Sequence, residues 1–227
     1  MPLIITSQSI EYFKNLHKKH QNRPLVLERI ENSSLDKNRQ DIDINLLWLA
    51  FVETINATPV NDTGYKIKKW DSIKGISHDE LRELAYTEFM DSNIETYSKN
   101  NARYAVSNRN FIKKQGEEKI LKTINSCEVG NSTSEEKTCV FLQKLKGIGP
   151  KQSRNILQYL GRSHHQVPID SSVLKQLENS GIDITGAKLD KERDYQEVQN
   201  AIWQISKELK VLPYVLDAIG FIDRADD

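Results

Sequence analysis

The run Gly147-Ile148-Gly149-Pro150-Lys151 is the place where this chain must turn sharply and restart as a helix. Elsewhere the sequence is poor in helix breakers, with 10 Gly and 6 Pro in 227 residues, and its apolar positions recur mostly three or four apart. That periodicity predicts a largely helical chain. Two glycines around one isoleucine permit positive φ and a close approach of backbone. Pro150 suits the first position of a helix, where its missing N–H costs nothing. The prediction is a helix over about 134–146, a tight hairpin, and a second helix over about 150–161. Outward-pointing N–H groups at such a hairpin and first helical turn, with the positive helix end behind them, form a ready anion site. The same hairpin is also a way of packing two helices, so a phosphate grip and a packing device are both open on these residues alone.

The second helix of the hairpin has two faces. Ser153, Ile156, Leu157 and Leu160 form the apolar one, while Lys151, Asn155, Gln158 and Arg162 are expected on the polar one, where a DNA strand could approach. A lysine amine can attack a sugar C1′ and form a Schiff base once it has shed its proton. The positive end of a helix disfavours an ammonium in its first turn. Nineteen positions further on, Val167-Pro168-Ile169-Asp170 reads as a short extended segment whose aspartate starts another helix. Asp170 is a strong N-cap candidate, which is its structural explanation. A capping carboxylate can also stabilise positive charge on a sugar ring or help move protons. Each residue has a structural explanation when taken singly. Taken together, with a phosphate grip between two helices, they point to an enzyme acting on DNA.

Around this centre the pattern is helical. Ile10, Phe13 and His17 are expected on one side of a first helix, and residues 24–29, with Leu25, Val26 and Leu27, form a short strand or an extended lead-in. Residues 44–55 form a strongly apolar helix with Leu47, Trp48, Phe51 and Ile55 at core spacing. Residues 58–77 form a long loop, and helices follow at about 78–91, 93–114 and 117–126, with a linker over 128–134 that ends in an N-cap. A long helix covers about 190–210, with Tyr195, Val198, Ile202, Ile205 and Leu209 as its apolar stripe, and Pro213 opens a last short helix ending near Phe221.

Composition removes several function classes. Lys plus Arg equals Asp plus Glu at 32 each, which argues against a strongly basic coat protein but leaves room for a local phosphate-binding patch. No stretch approaches the roughly 20 apolar residues of a membrane helix, and the first residues lack the pattern of a signal peptide. Cys127 and Cys139 are not a CxxC pair and are too few for a four-thiolate site, so reduced thiols in a cytosolic protein are expected. His164-His165 are adjacent and point in different directions, so a phosphate or loop contact suits them better than a metal. Trp48 and Trp203 lie on apolar stripes and are expected in the core. Lys66, Lys68 and Lys69 with Tyr65 and Trp70, and Arg103, Arg109, Lys113 and Lys114, are either solvated or in contact with DNA.

Leu-Lys-Gly-Ile-Gly-Pro-Lys at 145–151 followed by Val-Pro-Ile-Asp at 167–170 resembles the helix-hairpin-helix, Gly/Pro-rich loop and aspartate signature of the superfamily of base-excision DNA glycosylases. The resemblance covers about residues 135–180. It implies that Asp170 is the aspartate common to nearly all active members. A lysine at the position of Lys151 is similar to the bifunctional members, which remove a base and then cleave the strand by β-elimination. The lysine–aspartate spacing looks most like the 8-oxoguanine glycosylase branch. The endonuclease III branch usually carries a C-terminal four-cysteine iron–sulfur cluster, which this chain cannot form. A small archaeal-type oxoguanine subfamily ends in a functional lysine, whereas this chain ends Asp226-Asp227, so that mode of lesion reading does not transfer.

What the resemblance implies is an all-α protein, a single glycosylase unit over 1–227 built of two helical lobes with the hairpin at the cleft between them. One lobe spans about 40–135, and the other spans about 136–227 plus the N-terminal segment. Lys151 and Asp170 are the implied catalytic residues, and Lys146, Gly147, Ile148 and Gly149 the implied contacts to the DNA backbone. The segment from Tyr214 to Phe221 looks similar to the C-terminal helix on which oxoguanine glycosylases stack a flipped base, which makes Phe221 and Asp217 base-pocket candidates, with core packing as the alternative for Phe221. Asn56 is the nearest candidate for the wedge that fills the vacated stack. No cofactor or metal is required, although a monovalent cation can bridge hairpin carbonyls and phosphate. The expected partner is damaged double-stranded DNA, bound by a monomer without a membrane, in the cytoplasm and nucleoid of a prokaryote or the nucleus of a eukaryote. The alternatives are a glycosylase for another lesion, such as an oxidised pyrimidine, and a non-catalytic helix-hairpin-helix DNA-binding protein.

Overall fold

Thr6 starts the first helix by a reciprocal cap. Its Oγ1 accepts the Ser9 N–H at 3.1 Å while the Ser9 hydroxyl accepts the Thr6 N–H at 3.3 Å. The computed structural model describes residues 3–34, 41–56, 104, 107, 108 and 110–226, and everything said of the structure concerns these. The expected loop over 58–77, the helix over 78–91, most of the helix over 93–114, the basic group around Lys66 to Trp70, and Arg103 and Arg109 lie outside the described residues. Among the described residues all regular structure is helical, as the apolar spacing predicts.

The helices are α1 Ser7–His20, α2 Pro24–Ser34, α3 Ile44–Asn56, α4 Glu117–Asn125, α5 Ser132–Leu142, α6 Pro150–Tyr159, α7 Ser171–Asn179, α8 Glu192–Leu209 and α9 Pro213–Asp226. Three depart from expectation. Residues 24–29 are not extended: Pro24 opens α2 at the position where proline fits a helix, and Arg23 C=O accepts the Leu27 N–H at 3.0 Å. The contiguous Leu25-Val26-Leu27 imitates a buried strand, yet only Val26 is buried and Leu27 is 49% exposed. The helix before the hairpin starts earlier and stops earlier than expected. Asn131 accepts the Ser134 N–H in its first turn, and the chain tightens after Leu142 through bonds from Lys144 N–H to Phe141 C=O and from Leu145 N–H to Leu142 C=O. Finally α9 continues past Phe221 to Asp226. In α1 the buried face runs through Ser9, Phe13, Leu16 and His20, with Ile10 and His17 at its margins.

The chain divides into two compact units. One unit comprises residues 41–127 and 141–148. It buries Leu47, Trp48 and Phe51 of α3, with the two rings stacked at 5.3 Å, and Ile120 and Ile124 of α4. Asn125 ties the start of this unit to α4, accepting the Ile42 N–H at 2.8 Å and donating to the Ile42 C=O at 3.0 Å. The other unit comprises residues 1–40, 128–140 and 149–227. Its core gathers Phe13 and Leu16 of α1, Val26 of α2, Val173 and Leu177 of α7, the stripe Tyr195, Val198, Ile202 and Ile205 of α8, and Val215, Leu216 and Ile219 of α9. Val167 and Ile169, in the extended segment ahead of Asp170, belong to the same core. The apolar stripe expected on α8 is therefore the face it buries, with Leu209 at the rim.

Candidate active site

The two glycines of the hairpin do different jobs. Gly147 has φ +80°, a conformation that favours glycine, and its α-carbon lies against the ring of Tyr104. Gly149 is an ordinary extended N-cap of α6 with φ −98° and ψ −169°, so positive φ is needed at Gly147 only. The backbone of Lys146 is pinned from both sides by Asn108, whose Oδ1 accepts the Lys146 N–H at 2.6 Å and whose Nδ2 donates to the Lys146 C=O at 3.0 Å. Ile148 is buried, and its N–H is engaged by Leu145 C=O at 3.2 Å. This leaves the Gly147 and Gly149 amides, and those of Lys151 and Gln152 in the first turn of α6, without a described backbone acceptor. Lys146 and Gly147 are exposed.

Along α6 the apolar face is as expected: Ser153, Ile156, Leu157 and Leu160 are buried. Arg162, expected on the outer face, is 7% exposed, because the chain leaves the helix after Leu160 and turns inward. Lys151, Asn155 and Gln158 are half-buried on the remaining face.

Asp170 caps α7 through one oxygen. Oδ1 accepts the N–H of Ser172 at 2.8 Å and that of Val173 at 3.1 Å, and no described residue is bonded to Oδ2. The cap thus engages one oxygen of the carboxylate and leaves the other uncommitted among the described residues. Asp217, on α9, belongs to the same neighbourhood. Burial pushes its carboxyl up to about 6; Arg29 opposes this, Asp170 adds to it through its like charge, and the nearby Gln158 amide and the charge of Lys151 oppose it. The Arg29 Nη2 lies 3.8 Å from Asp217 Oδ2, and the guanidinium sits over the Tyr214 ring at 5.4 Å. Lys151, Asp170 and Asp217 therefore share one electrostatic field inside a single unit, with Arg29 as its further cation.

The loop that delivers Asp170 is built around a buried anion. Glu135 of α5, fully buried, accepts the N–H groups of His164 at 3.0 Å, His165 at 2.7 Å and Gln166 at 3.0 Å, together with that of Gly130 at 2.8 Å and the Ser163 hydroxyl at 3.2 Å. The histidine pair thus contributes its backbone to a carboxylate. The His164 ring stacks on Tyr214 at 5.1 Å, and the His165 C=O accepts Trp203 Nε1 at 2.6 Å and Gln199 Nε2 at 2.9 Å. Beyond the loop, Val167 N–H bonds to Gln199 Oε1 at 2.9 Å, and the Tyr195 hydroxyl donates to Val167 C=O at 2.9 Å and accepts from the Ile169 N–H.

The remaining sequence candidates are spread more widely. Trp48 is in the core, at 2% exposure, whereas Trp203 is half-buried. Phe221 is half-buried on α9, one turn beyond Asp217. Asn56 is the last residue of α3, and its side chain lies outside the described set. Cys127 and Cys139 are buried thiols not joined in a disulfide, and among the described residues no group of three His, Cys, Asp or Glu side chains converges as metal ligands. Also among the described residues, no helix is long and apolar enough to cross a membrane. Arg29, Asn108, Glu135, Arg154 and Tyr195 were not legible as site residues. Arg29 stood in a presumed strand, Tyr195 in an apolar stripe, and the others in no motif; a charged residue among the apolar positions of α6 was the one usable signal, and it marks Arg154.

No curated protein and no solved structure matches the chain. A family model described as 8-oxoguanine DNA glycosylase, of the helix-hairpin-helix type, matches residues 57–211, roughly two thirds of the chain. The match takes in the hairpin, Lys151, Asp170 and Tyr195, and stops short of Asn56, Asp217 and Phe221. With the pinned hairpin and the capping aspartate in one all-helical chain, it establishes that this protein belongs to the helix-hairpin-helix family of 8-oxoguanine DNA glycosylases.

Proposed function

We propose that the protein excises 8-oxoguanine as a bifunctional glycosylase and AP lyase, with Lys151 as nucleophile and Asp170 as the group that stabilises the reacting sugar. The observation that carries this reading is the division of labour in Asp170: Oδ1 is committed to the cap, no described residue is bonded to Oδ2, and both Asp170 and Lys151 act by their charge on the same neighbour, Asp217. The Gly147 and Gly149 amides and the Lys146 side chain hold phosphates beside the lesion, and the buried Ile148 anchors the hairpin. A monovalent cation at the hairpin carbonyls is compatible with this grip. The damaged nucleotide leaves the stack, with Asn56 proposed as the wedge and Phe221 and Asp217 as the walls that receive the base.

The Lys151 amine attacks C1′ as the bond from C1′ to the base breaks, and the proton that the amine sheds on forming the new C–N bond passes to the leaving base. Asp170 stabilises the positive charge that develops on the sugar. The sugar ring opens to the imine, loss of a C2′ proton follows, and the C3′–O bond breaks, which cleaves the strand 3′ to the lesion. Incubation with duplexes bearing 8-oxoguanine, an oxidised pyrimidine or no lesion, in the presence of borohydride, tests this sequence. Reduction of the imine gives a covalent protein–DNA complex with the 8-oxoguanine duplex. Preference for the pyrimidine lesion would move the substrate, and binding without capture would leave a non-catalytic module or a glycosylase without lyase chemistry.

A further inference from the structure

Arg154 is a fully buried charge, and nothing in the proposed reaction uses it directly. Its side chain is 0% exposed. Its guanidinium pairs with both oxygens of Glu192, at 2.5 and 3.1 Å, donates from Nη1 to the Pro150 C=O at 3.0 Å and from Nε to Gln166 Oε1 at 3.1 Å, and lies 4.4 Å from the centre of the Tyr195 ring. Tyr195, fully buried, holds Val167 C=O and Ile169 N–H through its hydroxyl. Pro150 is the residue immediately before Lys151, and Ile169 is the residue immediately before Asp170.

We infer that the Arg154–Tyr195 stack is a positioning device that fixes the start of α6 relative to the segment entering α7, and so sets where Lys151 stands with respect to Asp170. The inference rests on the roles proposed for those two residues. A buried ion pair is weak evidence for stability, since apolar replacements of similar volume often do as well. What an apolar side chain cannot supply is a donor aimed at the Pro150 carbonyl and, through the stacked ring, a hydroxyl bonded on both sides of Pro168. Burial pushes the Tyr195 hydroxyl well above its ordinary value, which keeps it protonated as the donor to Val167 C=O. Glu192 fixes the guanidinium from the α8 side, so the stack is held at both ends. Misplacement of reacting groups by about 1 Å costs on the order of a hundredfold in rate, so a device of this kind acts on the chemical step far more than on binding.

The test is Tyr195→Phe, which keeps the ring under Arg154 and removes only the hydroxyl. Single-turnover base release and strand cleavage are measured on the 8-oxoguanine duplex at a temperature where circular dichroism shows the variant fully folded. The expected result is a maximal rate lowered by about tenfold or more, with half-saturation by duplex within about twofold of the wild type. A purely structural role would leave the maximal rate of the folded protein unchanged. If Tyr195→Phe does not fold, Gln199→Met removes the acceptor for the Val167 N–H in the same segment and is expected to show the same split between rate and binding. A folded variant of either kind with a wild-type maximal rate, while the wild type is captured by borohydride, overturns the positioning role and leaves the catalytic assignment standing. Absence of capture with the wild type overturns the assignment of Lys151, and the inference with it.

Discussion

A Cβ on Gly147 would lie 2.6 Å from Cδ2 of Tyr104, and the backbone there has φ +80°. Gly147 is therefore required by packing and conformation together, whereas a Cβ on Gly149 would meet only the flexible end of Gln152, at 3.2 Å. Gly147→Ala is expected to cost about 2 kcal/mol or more, from left-handed backbone strain and the aromatic contact. Gly149→Ala is expected to cost less than about 1 kcal/mol. The two variants then separate stability from grip. Gly149→Ala should fold and weaken binding to damaged and undamaged duplex by similar factors, because backbone contacts position without reading sequence. Its binding isotherms at several salt concentrations give the check, with a shallow slope expected from few phosphate contacts. Unchanged affinity for both duplexes would make the hairpin a packing device.

Asp170 divides into a capping oxygen and an uncommitted one, and substitution can address them separately. Asn is as good an N-cap as Asp, so Asp170→Asn is expected to change the melting temperature little while slowing base release by more than about tenfold, through loss of the negative charge near the sugar. Asp170→Ala should lose both, with about 1 kcal/mol of stability. A wild-type single-turnover rate in Asp170→Asn would reduce the residue to a cap.

Asp217 makes stability depend on pH in an uncommon direction for an aspartate. Its folded value, about 6, stands above the ordinary 3.8, so the folded state holds the proton more tightly than the unfolded chain. Its contribution to stability is full below about pH 3.8 and is lost as pH rises through about 6. Asp217→Asn removes that loss. The stability of the variant relative to wild type should rise by roughly 2 kcal/mol between about pH 4 and about pH 8, as read from urea titrations at both pH values. A difference independent of pH would show that the carboxyl is not held up by burial.

Glu135 is fully buried beneath the loop that leads to Asp170. Four backbone N–H groups and one hydroxyl depend on its two oxygens, so Glu135→Ala leaves them unsatisfied in the interior and should cost about 3 kcal/mol or more. Glu135→Gln restores one acceptor but turns an amide donor toward other donors, and it should recover only part of the loss. Denaturant unfolding of the two variants measures the ordering; a neutral Glu135→Ala would mean that water serves the loop equally well.

How far the sequence carries depends on whether a residue's role is local. The helix starts at Pro150 and Asp170, the glycine hairpin and the α8 stripe were legible, because each follows from backbone conformation or apolar spacing within a few positions. The α2 segment was not, because three contiguous apolar residues suit a strand as well as a helix, and burial of Val26 alone decides between them. The clamp of Glu135 on residues 163–166 and the contact of Arg29 with Asp217 join positions far apart in the chain, and no spacing rule reports such pairs. Asp217 entered through the likeness of its segment to a base-stacking helix; its partners Arg29 and Gln158 became visible only in three dimensions.

The central claim is that the Lys151 amine forms the covalent bond to DNA. Its most direct measurement is peptide mapping by mass spectrometry of the complex captured with borohydride on an 8-oxoguanine duplex, alongside the Lys151→Gln variant. The account predicts a deoxyribose adduct on the peptide carrying Lys151, and no capture by Lys151→Gln at near-normal duplex binding. An adduct on any other lysine, or on the N-terminal amine, with undiminished capture by Lys151→Gln, would contradict it.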